Sequence, residues 1–413
     1  MKRTLLPMAA LLALTACSGS KELTCAADQS ICSNACVSLQ SDALNCGVCG
    51  HACDAGQGCS AGACVDCAAN PAACTAAVAV ACFDSNEVRF VAQDLTQVGP
   101  ALPVGTGPIA LAQLGAMFYV ANSSSSDVTP FTLAPLTMAN AIDVTFPTGG
   151  SGDLEGLAEG SGLLWASNAA AGTLVVIDPV AARVVAEVPL AESAGEYVNP
   201  KSIAFSGSKG YLALYNAGSG SAVAVLDVSA PTSPKLLKRI DVGKYATPPA
   251  VAGPSHVLAA SGKIYVALSN VLDASYAQVA GAHGKLVVID PTTDTVVGDS
   301  SIDLGPDCLD ASALALSGTT LWVGCGYYNF TSVQGGGLLP VSIGGSAPQP
   351  GEIVKTTSAV DALAVCEGRG YAGAAESGTV LQFDPTTGAV GASAEACPAG
   401  KYGSFVPDLA CTR

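Results

Sequence analysis

Apolar, β-branched runs of five or six residues recur along most of the chain, and each ends in a turn. The clearest is Gly284-Lys-Leu-Val-Val-Ile-Asp-Pro-Thr-Thr-Asp-Thr-Val-Val297, where two such runs flank Asp290-Pro291. Runs of this composition around a short turn read as a β-hairpin. Asp can bond its own backbone two residues on, and Pro presets φ for the second turn position. The unit returns as Gly172-Thr-Leu-Val-Val-Ile-Asp-Pro179 and Gly378-Thr-Val-Leu-Gln-Phe-Asp-Pro385, with a looser copy in Ser221-Ala-Val-Ala-Val-Leu-Asp227. Ahead of each lies another predicted strand with one aromatic. Tyr119, Trp165, Tyr211, Tyr265, Trp322 and Tyr371 follow one another at intervals of 46, 46, 54, 57 and 49 residues. A self-similar period near 50 residues fixes the architecture before any other feature.

Each unit reads as four strands. Strand a is short and apolar, as in Ile109-Ala-Leu-Ala112. Strand b carries the aromatic, strand c ends in Asp or Asp-Pro, and strand d leads onward. Gly or Ser-Gly turns separate a from b, for example Gly160-Ser-Gly162 and Ser317-Gly318. Short strands with turn signals every 8–12 residues predict an all-β fold, and four-stranded units repeated radially predict a β-propeller. Six full units begin near Pro108, Leu154, Pro200, Pro254, Ala311 and Val360. A partial unit before them supplies b, c and d over 75–104 but lacks a. The tail 402–410 is expected to supply the missing strand and close a seven-bladed ring, since an open inner edge would be a liability.

The motif Tyr119-Val-Ala-Asn122, followed by a Ser-rich linker and an apolar run, resembles the Tyr-Val-Thr-Asn repeat of bacterial seven-bladed propellers. Ile264-Tyr-Val-Ala267 and Leu164-Trp-Ala-Ser-Asn168 are weaker copies. The Ile-Asp-Pro endings fit the same family, which borders on the lactonase-like and quinoprotein-like propellers. The resemblance covers about four fifths of the chain. It implies a fold and little chemistry, because propellers host unrelated functions.

Composition sharpens this picture. The 413 residues carry a net charge of −16, with a pI near 4.4. That acidity argues against nucleic acid as a partner, which needs a basic stripe, and against electrostatic docking on anionic lipid. Aromatics make up only 5% of residues and Gly contributes 46, as in a small-residue β protein. Seventeen cysteines point to an oxidising compartment. Twelve of them lie from Cys17 to Cys82, and the next is Cys308.

A basic start, Met1-Lys-Arg-Thr4, and an apolar stretch from Leu5 to Leu14 predict a signal peptide over residues 1–16. It ends in Leu14-Thr15-Ala16-Cys17, which resembles the lipobox of bacterial lipoproteins, with Thr15 where Ala or Ser is usual. The resemblance implies cleavage before Cys17, a lipidated linker over 17–24 and membrane attachment through several acyl chains. Ser18 after the lipidated residue implies the outer membrane, facing the periplasm or the cell surface. Removing Cys17 leaves 16 cysteines, an even number that suits full pairing.

Residues 25–74 form a Cys-rich module with almost no large apolar side chains. Such a segment cannot bury a core and must be held covalently. It resembles the small Cys-rich repeats at the front of myxobacterial-type surface lipoproteins. The spacings Cys46-x2-Cys49 and Cys64-x2-Cys67, with His51 nearby, also fit a zinc ribbon. A signal peptide and the interleaved cysteines favour disulfides. The domain reading is therefore a signal peptide at 1–16, a linker at 17–24, the module at 25–74 and a propeller at 75–413. In the propeller, Cys308 and Cys325 are expected to bond, since both reach the long-loop end of one blade.

Candidate chemistry lies on that face, where the d–a and b–c loops are long. Counting back from the repeated aromatic aligns Ile109, Glu155, Lys201, Ser255, Ser312 and Asp361 at one level. Ala110, Gly156, Ser202, His256, Ala313 and Ala362 stand at the next. With Asp307 and Asp310 just ahead of strand a in their blade, these residues ring the mouth of a central channel. They read either as a small polar or cation site or as ordinary polar strand starts in a hydrated channel. Tyr276, Tyr327, Tyr328 and Phe330 fall in long neighbouring loops and suit contact with a protein or glycan, or packing under their own loops. No nucleophile elbow, phosphate loop, kinase motif set or HExxH helix is present. No catalytic residue, metal ligand or cofactor is therefore assigned. The resulting expectation is a monomeric, lipid-anchored envelope protein that binds through Tyr276, Tyr327, Tyr328, Phe330, Glu155, His256 and Asp361. The alternative is a channel-mouth hydrolase with a divalent cation, as in lactonase-like propellers, whose ligands do not match this chain residue by residue.

Overall fold

The computed structural model describes residues 30–32, 35–37, 39–40, 45–54, 57–66, 69–70, 76–93, 95, 97, 100–144, 152–193, 195–215, 220–329, 331–398 and 405–412. The signal segment with Cys17, together with Cys25, Cys67, Cys74 and Phe330, lies outside them. The remainder is all-β: a small disulfide-held module followed by a seven-bladed propeller.

Within the module, hairpins Ser30–Cys32 with Ala35–Val37 and Gln57–Ser60 with Ala63–Asp66 are cross-linked by Cys32–Cys49, Cys46–Cys59 and Cys53–Cys64. Cys46 and Cys49 thus belong to separate disulfides and do not form a zinc-ribbon pair. Val65 packs against the apolar layer between blades 1 and 2.

Blade 1 is made from both ends of the propeller sequence. Its innermost strand is Leu409–Cys411, followed outward by Ala76–Cys82, Glu87–Ala92 and Leu102–Pro103. Blades 2 to 7 follow as antiparallel meanders whose innermost strands are Pro108–Leu114, Leu154–Gly160, Pro200–Ser206, Pro254–Ala260, Ala313–Ser317 and Val360–Cys366. Two disulfides fasten the seam. Cys366–Cys411 joins the inner strands of blades 7 and 1 at the short-turn end, and Cys82–Cys397 joins the same blades at the opposite end.

The repeated sequence features have local causes here. The Asp of each c–d turn accepts backbone N–H bonds: Asp178 from Val180 and Ala181 at 2.9 Å, Asp290 from Thr292 at 2.8 Å, and Asp384 from Thr386 at 2.7 Å. All six repeated aromatics are buried, and some of them join blades. The Trp322 indole donates to the Pro385 carbonyl of the next blade, and the Tyr211 hydroxyl donates to Asp294 of the next at 2.6 Å. Apolar layers between adjacent blades thus form the core, and the channel axis stays open.

Candidate functional site

The inner strands carry the geometry that builds the site. In blades 2, 3, 4, 5 and 7 the pairing of strand a with strand b shifts register one or two residues after strand a begins. The residues skipped there are Ile109, Glu155, Lys201 with Ser202, Ser255 and Asp361. A β-bulge leaves the extra residue without a cross-strand partner and re-aims its side chain. The five bulges place these residues around one end of the channel, where they line a cavity of about 320 Å³ with the next level, from Ala110 round to Ala362.

Hydroxyls near this level tie blades 4, 5 and 6 each to the next blade. Ser202 Oγ lies 3.4 Å from the Val257 carbonyl, Ser255 Oγ donates to that of Ala311 at 2.7 Å, and Ser312 Oγ to that of Val360 at 2.8 Å. Asp408 continues the belt from blade 1 to blade 2 by accepting the Leu111 N–H at 2.7 Å. Glu155 and Lys201 form a 2.8 Å ion pair between blades 3 and 4, and the Lys201 ammonium lies 5.9 Å from the centre of the Tyr215 ring.

Protein encloses the ionisable groups on every side but the channel, and burial dominates their titration. Asp361 is pushed up to about 7 by burial and then by the Asp310 charge, with Glu376 adding to it and a hydrogen bond from Ser312 opposing. Asp310 is raised to about 6 by burial, against a hydrogen bond from Ser269 and the Lys201 charge. Burial raises Asp408 to about 7 despite its bonds from the Leu111 and Leu409 N–H groups. His256 is lowered to about 4 by burial, so its imidazole is neutral. The Tyr215 hydroxyl is raised by burial and by Asp310.

Both aligned levels, including Glu155, His256 and Asp361, line this cavity, as does Asp310. Asp307 does not: its carboxylate pairs with Lys355 at 3.0 Å, so its place on the channel rim is corrected. The three-residue Gly305-Pro-Asp turn ahead of the blade directs it outward, where a lysine partner is available.

Two contributors escaped the sequence reading. Tyr215 directly follows strand b of blade 4 and reaches over Gly253, where a Cβ would sit 2.8 Å from its ring. Asp408 lies in the tail. The bond from Phe83 N–H to the Phe405 carbonyl matches that from Ala375 to Ala359 in blade 7. Three residues on, Asp408 therefore stands where Ala362 does, at the level of His256. That offset, applied to the tail, would have found it.

Above the mouth, Tyr276 is 55% exposed and adopts φ 63°, within a turn whose Asp273 carboxylate accepts the Ser275 and Ala277 N–H groups. Positive φ is uncommon for a bulky residue. The turn lies against the neighbouring hairpin, Gln278 donating to Gln334 at 2.9 Å. Tyr327 and Tyr328 end strand b of blade 6 and are half-buried. Tyr276 and Tyr327 both lie near enough to Tyr215 to add to the rise of its hydroxyl pKa. Cys308 and Cys325 are disulfide-bonded at the base of this hairpin, with Cα atoms 4.9 Å apart.

A divalent cation needs several oxygen or imidazole ligands converging on one point. Among the described residues, the one group of three His, Cys, Asp or Glu side chains whose ligand atoms lie within 4.8 Å of one another is Cys46, Cys53 and Cys64. These thiols are in disulfides.

In sequence, residues 14–90 match the model of the stigma-specific STIG1-like protein family. No curated protein matches the chain. In structure, the chain is similar to putative 6-phosphogluconolactonases of Bacteroides uniformis and Bacteroides fragilis. Both have a TM-score of 0.59 and 13% identity over 82% of this chain, and 99% and 98% of theirs respectively. It is also similar to the hydrazine synthase of Kuenenia stuttgartiensis, at TM-score 0.52 and 15% identity, over 70% of this chain and 86% of that one. At such identities the likeness shows the fold alone.

Proposed function

We propose that this chain is a lipid-anchored binding protein of the cell envelope, which takes a ligand at the long-loop end of its propeller channel. One observation carries the reading: the bulges of blades 3, 4, 5 and 7 aim polar side chains into a single cavity, with Tyr276 and Tyr327 near its Tyr215. A concave site with a few convergent polar groups and shifted titrations is where binding is first sought. A rim of aromatics supplies contact area at small entropic cost. The disulfides support an oxidising compartment. Attachment through Cys17, an outer-membrane location and a protein or glycan partner over the rim complete the proposal. A cation-dependent hydrolase at the same mouth is less supported, since no three His, Cys, Asp or Glu side chains converge there among the described residues.

The test is binding of the purified mature protein to arrayed glycans and peptides, repeated with Tyr276→Ala combined with Tyr327→Ala. Tenfold or greater weakening at unchanged thermal stability is expected, about 1.4 kcal/mol or more. Unchanged binding, or an unfolded double variant, would show that these rings only pack.

A further inference from the structure

The chemistry of the cavity wall selects a ligand class, an inference that rests on reading the mouth as a binding site. Carboxyl groups outnumber basic ones. Among the described residues, Glu155, Asp310, Asp361 and Asp408 line the cavity, against Lys201 as its only lysine, with no arginine. Lys201 is already matched by Glu155 at 2.8 Å. An incoming anion would find no uncommitted cation, while an incoming cation would find Asp310 and Asp361 on neighbouring blades, close enough for one charge to shift the other's titration.

A second observation comes from His256. Its imidazole lies one level deeper, enclosed by protein except toward the channel, and makes no hydrogen bond to any described residue. With no such partner, its ring nitrogens are left to whatever occupies the channel. A third comes from Tyr215, whose ring already has the Lys201 ammonium 5.9 Å from its centre. An ammonium group beside an aromatic face and a carboxylate is thus a combination this cavity already accommodates. Leu157, Ile203 and Leu363 give the deeper wall an apolar surface. A volume near 320 Å³ lies at the small end of ligand pockets.

We propose that the channel mouth binds a small organic ammonium compound. The cationic nitrogen sits between Asp310 and Asp361, and the apolar body extends down the channel past Tyr215 toward His256. Two ionised carboxylates side by side repel, and a cation placed between them removes that cost. The aromatic wall and apolar floor favour an alkyl- or arylammonium over a bare metal ion, which would also need more oxygen ligands than converge here.

The experiment compares three compounds of one shape: phenethylamine, 2-phenylethanol and phenylacetate. Each is titrated calorimetrically into the mature protein at pH 8 in 150 mM salt, with calcium chloride alone as a fourth titrant. Phenethylamine should bind at least tenfold more tightly than 2-phenylethanol, and phenylacetate should not bind. Asp361→Asn should weaken the amine tenfold or more and leave the alcohol unchanged. Asp310→Asn is the second variant, should the first fail to fold as judged by its circular dichroism. Equal binding of amine and alcohol, preference for phenylacetate, a response to calcium alone, or an amine affinity indifferent to both Asn variants overturns the amine class. Glycan or peptide binding that depends on Tyr276 and Tyr327 would survive each of those results, so failure here is separable from failure of the binding reading.

Discussion

Asp361 and His256 occupy adjacent levels of one channel, and burial moves their titrations in opposite directions. An Asp raised to about 7 in the folded state binds more protons than its unfolded counterpart between about 4 and 7. It therefore favours folding below that window and costs stability as pH rises through it. A His lowered to about 4 binds fewer protons when folded. Its contribution is intact above about 6.5 and is lost as pH falls toward 4. Asp361→Asn should remove its share of the first slope, leaving those of Asp310 and Asp408, and keep the Ser312 bond, stabilising the protein at pH 8 by about 1–3 kcal/mol relative to wild type. At pH 4 the two should be equal within error. His256→Asn should flatten the loss between pH 6.5 and 4. Urea unfolding at several pH values, followed by the fluorescence of Trp165 and Trp322, measures both. A wild-type-like pH profile in Asp361→Asn would remove this group from the account. The sequence revealed which residues line up at the mouth, because the aromatic period supplied a ruler. It did not reveal their protonation, which depends on how protein from several blades closes around them. Nor did it show that Asp307 turns away, since one salt bridge decided that.

At the scale of elements, the four-stranded blade was legible because each strand has its own marker: an aromatic in b, an Asp at the end of c, a Gly turn after a. The bulges were not. A bulge is a mismatch between two strands, and nothing within strand a alone reports it. Closure of the ring was legible from a simple deficit, one unit short of a strand and one tail with nowhere else to go. Leu409–Cys411 fills that place, pairing only three residues with Val78–Val80. So short a strand needs help. Cys366–Cys411 spans 45 residues and Cys82–Cys397 spans 315. Cross-links over such lengths contribute about 4 and about 6 kcal/mol respectively in the chain-entropy picture. Replacing Cys366 and Cys411 together with Ser should lower stability by about 2–4 kcal/mol. It should also expose the Ala76–Cys82 edge, seen as oligomers by size-exclusion chromatography under mild heating. An unchanged unfolding midpoint and a clean monomer peak would mean that hydrogen bonds and packing alone hold the strand.

For the whole molecule, the seven-bladed outline and the disulfide-held front module follow from repeat period and cysteine spacing. The proposed lipid anchor rests on Cys17. Cys17→Ser should turn a membrane-pelleted protein into soluble material or an uncleaved precursor, assayed by fractionation and mass spectrometry of the amino terminus. A cleaved Cys17→Ser form that still pellets would remove the lipid anchor from the proposal.

The route of the chain into blade 1 sets which way the molecule looks. Ala76 begins its strand beside Thr412 and the Cys366–Cys411 bridge, at the short-turn end, and the same strand runs to Cys82 at the cavity end. Everything before Ala76 therefore joins the propeller on the side away from the cavity. The anchor proposed at Cys17 would thus hold the cavity turned away from the membrane, with ligands reaching it from the far side. Lengthening or shortening the sequence between anchor and Ala76 would change how far that opening reaches without touching what it can hold.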